Sequence, residues 1–168
     1  MSVLTRDEII KQINKGFIKI DPLVMKNIGP GSIDLTLGDE FRLFDEKKGK
    51  IEVMEDTDYA LMTKPKTGPI ALKPGQFLLG VTKETIKLPG NVCGFLSGRS
   101  RFARLGIIVH ATASFIQPGI NNKQVLEIYN LSKRTLVLNP GLKICQLTLI
   151  ETTGTAKYNG KYEKQKTV

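Results

Sequence analysis

Tryptophan is absent from this chain, histidine occurs once and cysteine twice. Each shortage removes a class of chemistry. A base-stacking platform for nucleic acid needs aromatic rings interleaved with cations, and the sequence offers no such platform. A serine–histidine–acid triad would have to use His110 with Ser97, Ser100 or Ser114 beside it, and no nucleophile-elbow pattern frames any of these serines. A zinc deaminase needs His-x-Glu followed by Pro-Cys-x-x-Cys. His110 is followed by Ala111 and Thr112, and Cys93 and Cys145 lie too far apart in sequence to form such a pair. The same shortage argues against structural zinc. A Walker-type phosphate loop is missing. No apolar run approaches the length of a membrane span. The opening Met1-Ser-Val-Leu-Thr-Arg-Asp-Glu8 lacks the basic-then-apolar order of a secretory signal. The expectation is a cytoplasmic protein with reduced thiols and no membrane partner.

Cations are plentiful. The 168 residues carry 25 Lys and Arg against 16 Asp and Glu, a net charge of +9. Lys47, Lys48 and Lys50 read as solvated surface, and Lys157, Lys161, Lys164 and Lys166 add charge at the C-terminus. Solubility accounts for much of this excess, with a phosphate-bearing ligand or nucleic acid as the alternatives. Hydrophobic residues at 40% and charged residues at 24% suit a single soluble domain.

The pattern along the chain begins with one helix. Thr5 and Glu8 fit a capping box, Ile9, Ile10 and Ile13 form an apolar stripe, and Gly16 supplies a stop. Short strands and turns follow. Strands are expected at 32–37, 41–44, 77–81, 92–96, 125–128, 135–138 and 144–150, punctuated by Lys73-Pro-Gly75, Leu88-Pro-Gly90 and Asn139-Pro-Gly141. Residues 45–69 read as a long irregular excursion. Strands at this spacing predict a mostly β barrel or sandwich with a short N-terminal helix. The last dozen residues lack a core-facing pattern and read as a mobile tail.

One cluster stands out. Gly98-Arg-Ser-Arg-Phe-Ala-Arg-Leu-Gly106 places three arginines and a serine in six residues. Guanidinium forks match phosphate oxygens, and a hydroxyl completes an anion site; a basic surface turn is the bland alternative. Further on, Glu127 sits between apolar Leu126 and Ile128, so on a strand it faces away from them. It is either a solvent-facing glutamate or a carboxylate set to move protons.

These segments, taken with His110-Ala-Thr-Ala113, Ile116-Gln-Pro-Gly119 and Val125-Leu-Glu-Ile-Tyr-Asn130, resemble the dCTP deaminase/dUTPase family in order and spacing, and the deaminases most closely. Gly31-Ser-Ile-Asp-Leu-Thr-Leu-Gly38, Asn139–Leu147 and Tyr158–Gln165 agree with that resemblance, whereas residues 45–70 find no counterpart. The resemblance implies a distorted, jelly-roll-like β-barrel of the dUTPase type, one domain over 1–168, with 157–168 as a mobile closing segment. It implies a homotrimer with active sites between subunits. The substrate would be dCTP or dUTP as its Mg2+ complex, with dTTP as a candidate inhibitor, no zinc, and no nucleic-acid partner. By position, Glu127 would shuttle protons, Ser100 and Arg104 would hold phosphate and order the attacking water, and the backbone of Ala113 would position that water. Arg99, Arg101, Gln117, Tyr158, Lys161 and Gln165 would bind substrate.

Several positions depart from the family pattern. Gln117 stands where relatives carry the aspartate of dUTP hydrolysis, and an amide is no base. Arg101 replaces a small residue, Ile120 an aromatic that packs on deoxyribose, and Asn121-Asn122 a glycine. The expected activity is therefore deamination of dCTP to dUTP and ammonia. A dUTP diphosphatase, a bifunctional enzyme or a non-catalytic nucleotide binder are the alternatives. His110 sits close to these motifs, yet a buried structural histidine fits its pattern equally well. Cys93 and Cys145 read as core, and Asp34 as part of a strand network.

Overall fold

The computed structural model describes residues 2–45 and 49–168. In chain order the elements are α1 (Arg6–Asn14), β1 (Lys19–Asp21), β2 (Ile33–Phe44), β3 (Thr63–Thr67), β4 (Ile70–Leu72), β5 (Phe77–Lys87), β6 (Val92–Gly98), α2 (Ser100–Ala103), β7 (Ile107–Val109), β8 (Phe115–Ile116), β9 (Asn121–Asn130), β10 (Leu136–Leu138) and β11 (Lys143–Glu151). Short 3-10 turns at Met25–Asn27 and Tyr59–Met62 complete the set. Seven strands form the main path β7-β9-β5-β2-β11-β6-β8; β1 adds to β5, β3 adds to β2, and β4 and β10 pair separately. Every pairing is antiparallel. The mostly β, barrel-like fold with a short N-terminal helix is as expected.

The sheet curls because its two longest strands are irregular. β2 pairs with β11 through its first residues and with β5 and β3 through its last, and its register against β5 shifts between Leu37 and Phe41. β5 shifts in turn against β9 between Val81 and Thr85. Such bulges bend a strand and raise its twist. Gly38 sits at the bend, where an added Cβ would lie 2.9 Å from the Val81 carbonyl oxygen. The two strands expected at 32–37 and 41–44 are therefore one bent strand. Alternation along β2 buries Ile33, Leu35 and Leu37, and along β9 Leu126 and Ile128. Burying each such side chain contributes about 1.5–3 kcal/mol.

The helix forms where expected, but the capping box does not. The Thr5 hydroxyl makes no cap bond. The Glu8 carboxylate turns forward and accepts from Lys11 Nζ at 2.9 Å and Gln12 Nε2 at 2.8 Å. Ile9 is fully buried, with Ile10 and Ile13 against the same core, and Gly16 follows with φ +74°. The excursion at 45–69 is less irregular than its composition suggests, since β3 pairs along the second half of β2. Lys50 is exposed, while Lys47 and Lys48 lie outside the described residues. The short strands β1, β4, β7 and β8, of two or three residues each, carried no sequence signal.

Candidate active site

Between β9 and the C-terminal segment lies a cavity of about 410 Å3, within the range of small-molecule sites. Over residues 121–127 one side of β9 pairs with β5, while β7 reaches only residues 128–130 on the other side. The free side opens on the cavity, and Glu127 is part of its wall.

The Glu127 carboxylate is held chiefly by Thr112. Thr112 donates its backbone N–H to Oε2 at 2.7 Å and its hydroxyl to Oε1 in a short bond. Partial burial pushes the Glu127 carboxyl up. The Thr112 hydroxyl and amide, the neighbouring His110 charge and the Ala111 amide outweigh that and hold it below the usual glutamate value of 4.5. The group is thus kept ionised, half-exposed and aimed at the cavity.

His110 completes the turn that carries Thr112. It is 8% exposed and adopts φ +60°, unusual for a residue with a side chain. Its backbone N–H donates to the Glu127 carbonyl at 2.6 Å. Its Nε2 lies 2.8 Å from the Ala113 carbonyl oxygen. A carbonyl only accepts, so Nε2 carries the proton. Nδ1 is buried without a partner among the described residues.

Gln117 and Ala113 are exposed at the rim, and Ile120 is buried in the wall. The Asn122 amide has a structural use: Nδ2 donates to the Tyr162 carbonyl at 2.8 Å, and Oδ1 accepts from Gln124 Nε2 at 2.6 Å. The tail lies along the cavity mouth. Ala156 N–H donates to the Gly90 carbonyl at 2.8 Å, Tyr158 N–H to Pro118 at 3.1 Å, and Lys123 N–H to Gln165 at 2.9 Å. Tyr158 packs against the core, and both Tyr158 and Gln165 line the cavity.

The arginine cluster is elsewhere. β6 stands four places from β9 in the sheet order. It ends at Gly98, and α2 and the Gly106 turn (φ +81°) carry the chain onward. Ser100, Arg101 and Arg104 are exposed. The Arg99 guanidinium donates to the Lys143 carbonyl at 2.8 Å and pairs with Asp34 at 3.0 Å. The single chain therefore brings Glu127, Ala113, Gln117, Tyr158 and Gln165 to one cavity, and leaves Arg99, Ser100, Arg101, Arg104 and Lys161 outside its lining.

The profile of the dCTP deaminase-like family matches residues 3–152. The chain belongs to the dCTP deaminase-like family. It is 37% identical over 176 residues to "dCTP deaminase, dUMP-forming" of Dictyoglomus thermophilum, covering 98% of this chain and 91% of that protein. It is 36% identical over 163 residues to the protein of the same name in Methanosphaera stadtmanae, covering 94% and 83%. The crystal structure of 2'-deoxycytidine 5'-triphosphate deaminase from Agrobacterium tumefaciens superposes with a TM-score of 0.69 at 18% identity. That match covers 88% of this chain and 47% of the other. It shows the shared fold.

Within this family frame, three residues at the site had no individual signal in the sequence: Tyr59 and Asn122 in the cavity wall, and Thr112 behind Glu127. Thr112 stood inside a motif without a role of its own. Tyr59 enters the cavity wall from the 45–69 excursion, where no periodicity marked it. Asn122 looked like a loop substitution and is a buried amide. Asn130 closes the family segment as a structural residue. It is fully buried and donates to the carbonyls of Leu72 and Arg134, each at 2.8 Å, while its Oδ1 accepts from Ser132 N–H and Oγ. Among the described residues no group of three or more His, Cys, Asp and Glu side chains assembles as a metal site. No described helix is long and apolar enough to cross a membrane.

Proposed function

We propose that this chain deaminates dCTP at C4 of cytosine, with Glu127 as the proton shuttle. The observation that carries the reading is an ionised carboxylate, oriented by Thr112, in the wall of a nucleotide-sized cavity. C4 is a weak electrophile, and water is a weak nucleophile. One carboxylate corrects both by taking a proton from water and delivering it to N3 as the water oxygen bonds to C4. The C4 hydroxyl proton of the tetrahedral adduct then passes to N4, the C4–N4 bond breaks, ammonia leaves, and the uracil carbonyl forms. The sum is dCTP plus water to dUTP plus ammonia. Thr112 has a positioning part here, since its two donors fix which way the carboxylate faces.

The substrate enters as its Mg2+ triphosphate. Arg99, Ser100, Arg101 and Arg104 would meet the phosphates, joined by Lys161 from a closing tail. Because these residues and the Glu127 cavity stand apart in one chain, the reading includes a homotrimer, with the cation cluster of one subunit serving the cavity of its neighbour.

A second reading is favoured by the name of the relatives, dUMP-forming. The same site would then go on to split dUTP into dUMP and pyrophosphate. Gln117 bears on this step, because an amide can hydrogen-bond the sugar 3'-hydroxyl but cannot remove a proton from water. Chromatography of products from dCTP and dUTP, run side by side with ammonia and pyrophosphate assays, tests both readings. Ammonia from dCTP is expected. Its absence at every temperature tried refutes deamination, and pyrophosphate from either nucleotide establishes the second step.

A further inference from the structure

Asp34 is the one acidic side chain that grips the arginine cluster among the described residues. It lies in the first part of β2, which pairs with β11, which pairs with β6. These neighbouring strands converge three groups on one spot. Asp34 Oδ2 lies 3.0 Å from an Arg99 terminal nitrogen and 3.9 Å from Lys143 Nζ. The other terminal nitrogen of Arg99 donates to the Lys143 carbonyl at 2.8 Å. The guanidinium is thus held at two of its donors, with its side chain 24% exposed and that of Asp34 19% exposed. No hydrogen bond or ion pair among the described residues holds Arg101 or Arg104.

An ordinary surface ion pair between flexible side chains contributes little and moves freely. This one is mostly buried, anchored at the base of α2, and reinforced by a backbone acceptor that cannot move away. A fork clamped in this way has lost its rotamer freedom before any ligand arrives. Binding a phosphate then orders one side chain fewer. We propose that Asp34 is a positioning residue. It holds the Arg99 guanidinium in the orientation that receives the substrate phosphates, and Lys143 adds a second cation beside it. The proposal rests on the nucleotide reading above and names a residue that reading does not use.

Charge and orientation predict opposite signs here. Removing Asp34 takes a negative charge from beside the phosphate path, so charge alone favours tighter triphosphate binding. Loss of orientation weakens it. For a misplaced binding group, a loss of about ten- to hundredfold in kcat/KM is the expected scale.

The test is a double-mutant cycle on purified, full-length protein, with dCTP turnover and dCTP affinity both measured. Asp34→Ala is compared with the unsubstituted protein, and Asp34→Ala/Arg99→Ala with Arg99→Ala. Asp34→Asn, which keeps the side-chain size, is carried alongside to guard against misfolding, and melting temperatures are recorded for all. The expected result is a ten- to hundredfold fall in kcat/KM for Asp34→Ala, a fall of the same sense for Asp34→Asn, and no further fall when Arg99 is already alanine. An equal loss in both backgrounds, a gain in affinity, or no loss overturns the proposal. If the unsubstituted protein neither binds nor turns over dCTP, the nucleotide reading itself has failed and this inference falls with it. That failure appears before any substitution is made.

Discussion

Replacing Glu127 by glutamine separates the chemistry of this site from its architecture. The carboxylate accepts two bonds from Thr112, one from the amide at 2.7 Å and one from the hydroxyl. Glutamine keeps the length and can keep both contacts: its oxygen takes the amide N–H, and its NH2 donates to the hydroxyl, which rotates to accept. Two bonds to a charged acceptor become two neutral ones. Each exchange costs about 1 kcal/mol, and solvent at this half-exposed position reduces the sum to about 1 kcal/mol. Against a domain stability of about 5–15 kcal/mol, the variant stays folded. The catalytic cost is larger. An amide neither takes a proton from water nor delivers one to N3, and general acid–base catalysis contributes about 100- to 10,000-fold, or about 3–5 kcal/mol of barrier. Ammonia release from dCTP should fall by at least about 100-fold while calorimetry still records dCTP binding and the melting temperature moves by only a few degrees. Ammonia release at the unsubstituted rate would refute the role of Glu127. Loss of binding in step with activity would make the residue a binding group rather than a proton shuttle.

Four further outcomes follow from individual contacts. Thr112→Val removes the hydroxyl that helps hold the Glu127 carboxyl low, so the acid limb of a kcat/KM profile should move to higher pH. The same group bears on stability with a definite sign. Its folded-state pKa lies below its unfolded value, so its contribution is present above about pH 4.5 and is lost as pH falls through the lower folded value; melting temperatures measured from pH 7 down to pH 3 should show a smaller acid loss in Thr112→Val. Asn130→Ala takes the amide partner from the Leu72 carbonyl and the Ser132 N–H, while the Arg134 carbonyl keeps the Ser132 hydroxyl, and urea unfolding should show a loss of about 2 kcal/mol. A Cβ at Gly90 would lie 2.8 Å from the Ala156 carbonyl oxygen, so Gly90→Ala should lift the C-terminal segment and speed tryptic cleavage beyond Lys157 by about tenfold.

Much of this site was legible in the sequence because it depends on residue type and order. Three arginines with a serine after a strand bring together groups that suit an anion, and a basic surface turn is the alternative for the same residues. A glutamate between two buried aliphatic residues must face away from the core, and Glu127 does. The shortage of histidine and cysteine argued against the zinc routes. Alternation and turn residues were enough to expect a mostly β chain with one helix, because both signals act within a few residues. Local signals also misled. Thr5 and Glu8 have capping-box spacing, yet Lys11 and Gln12 compete for the same carboxylate, and the stronger local partners win.

Tertiary structure decided what depends on contacts distant in sequence. That Thr112 orients Glu127 follows from the turn at His110, not from the spacing between the two residues. That Tyr59 lines the cavity follows from β3 pairing with β2, and the composition of 45–69 says nothing of it. That Gly38 is needed at the bend of β2 follows from Val81, whose carbonyl leaves no room there for a Cβ. Asp34 and Arg99 meet only because β2, β11 and β6 are neighbours. The sequence by itself determined the kinds of groups this protein carries. The fold decided which of them stand together, because that depends on which strands pair, and strand pairing is settled by burying one shared core.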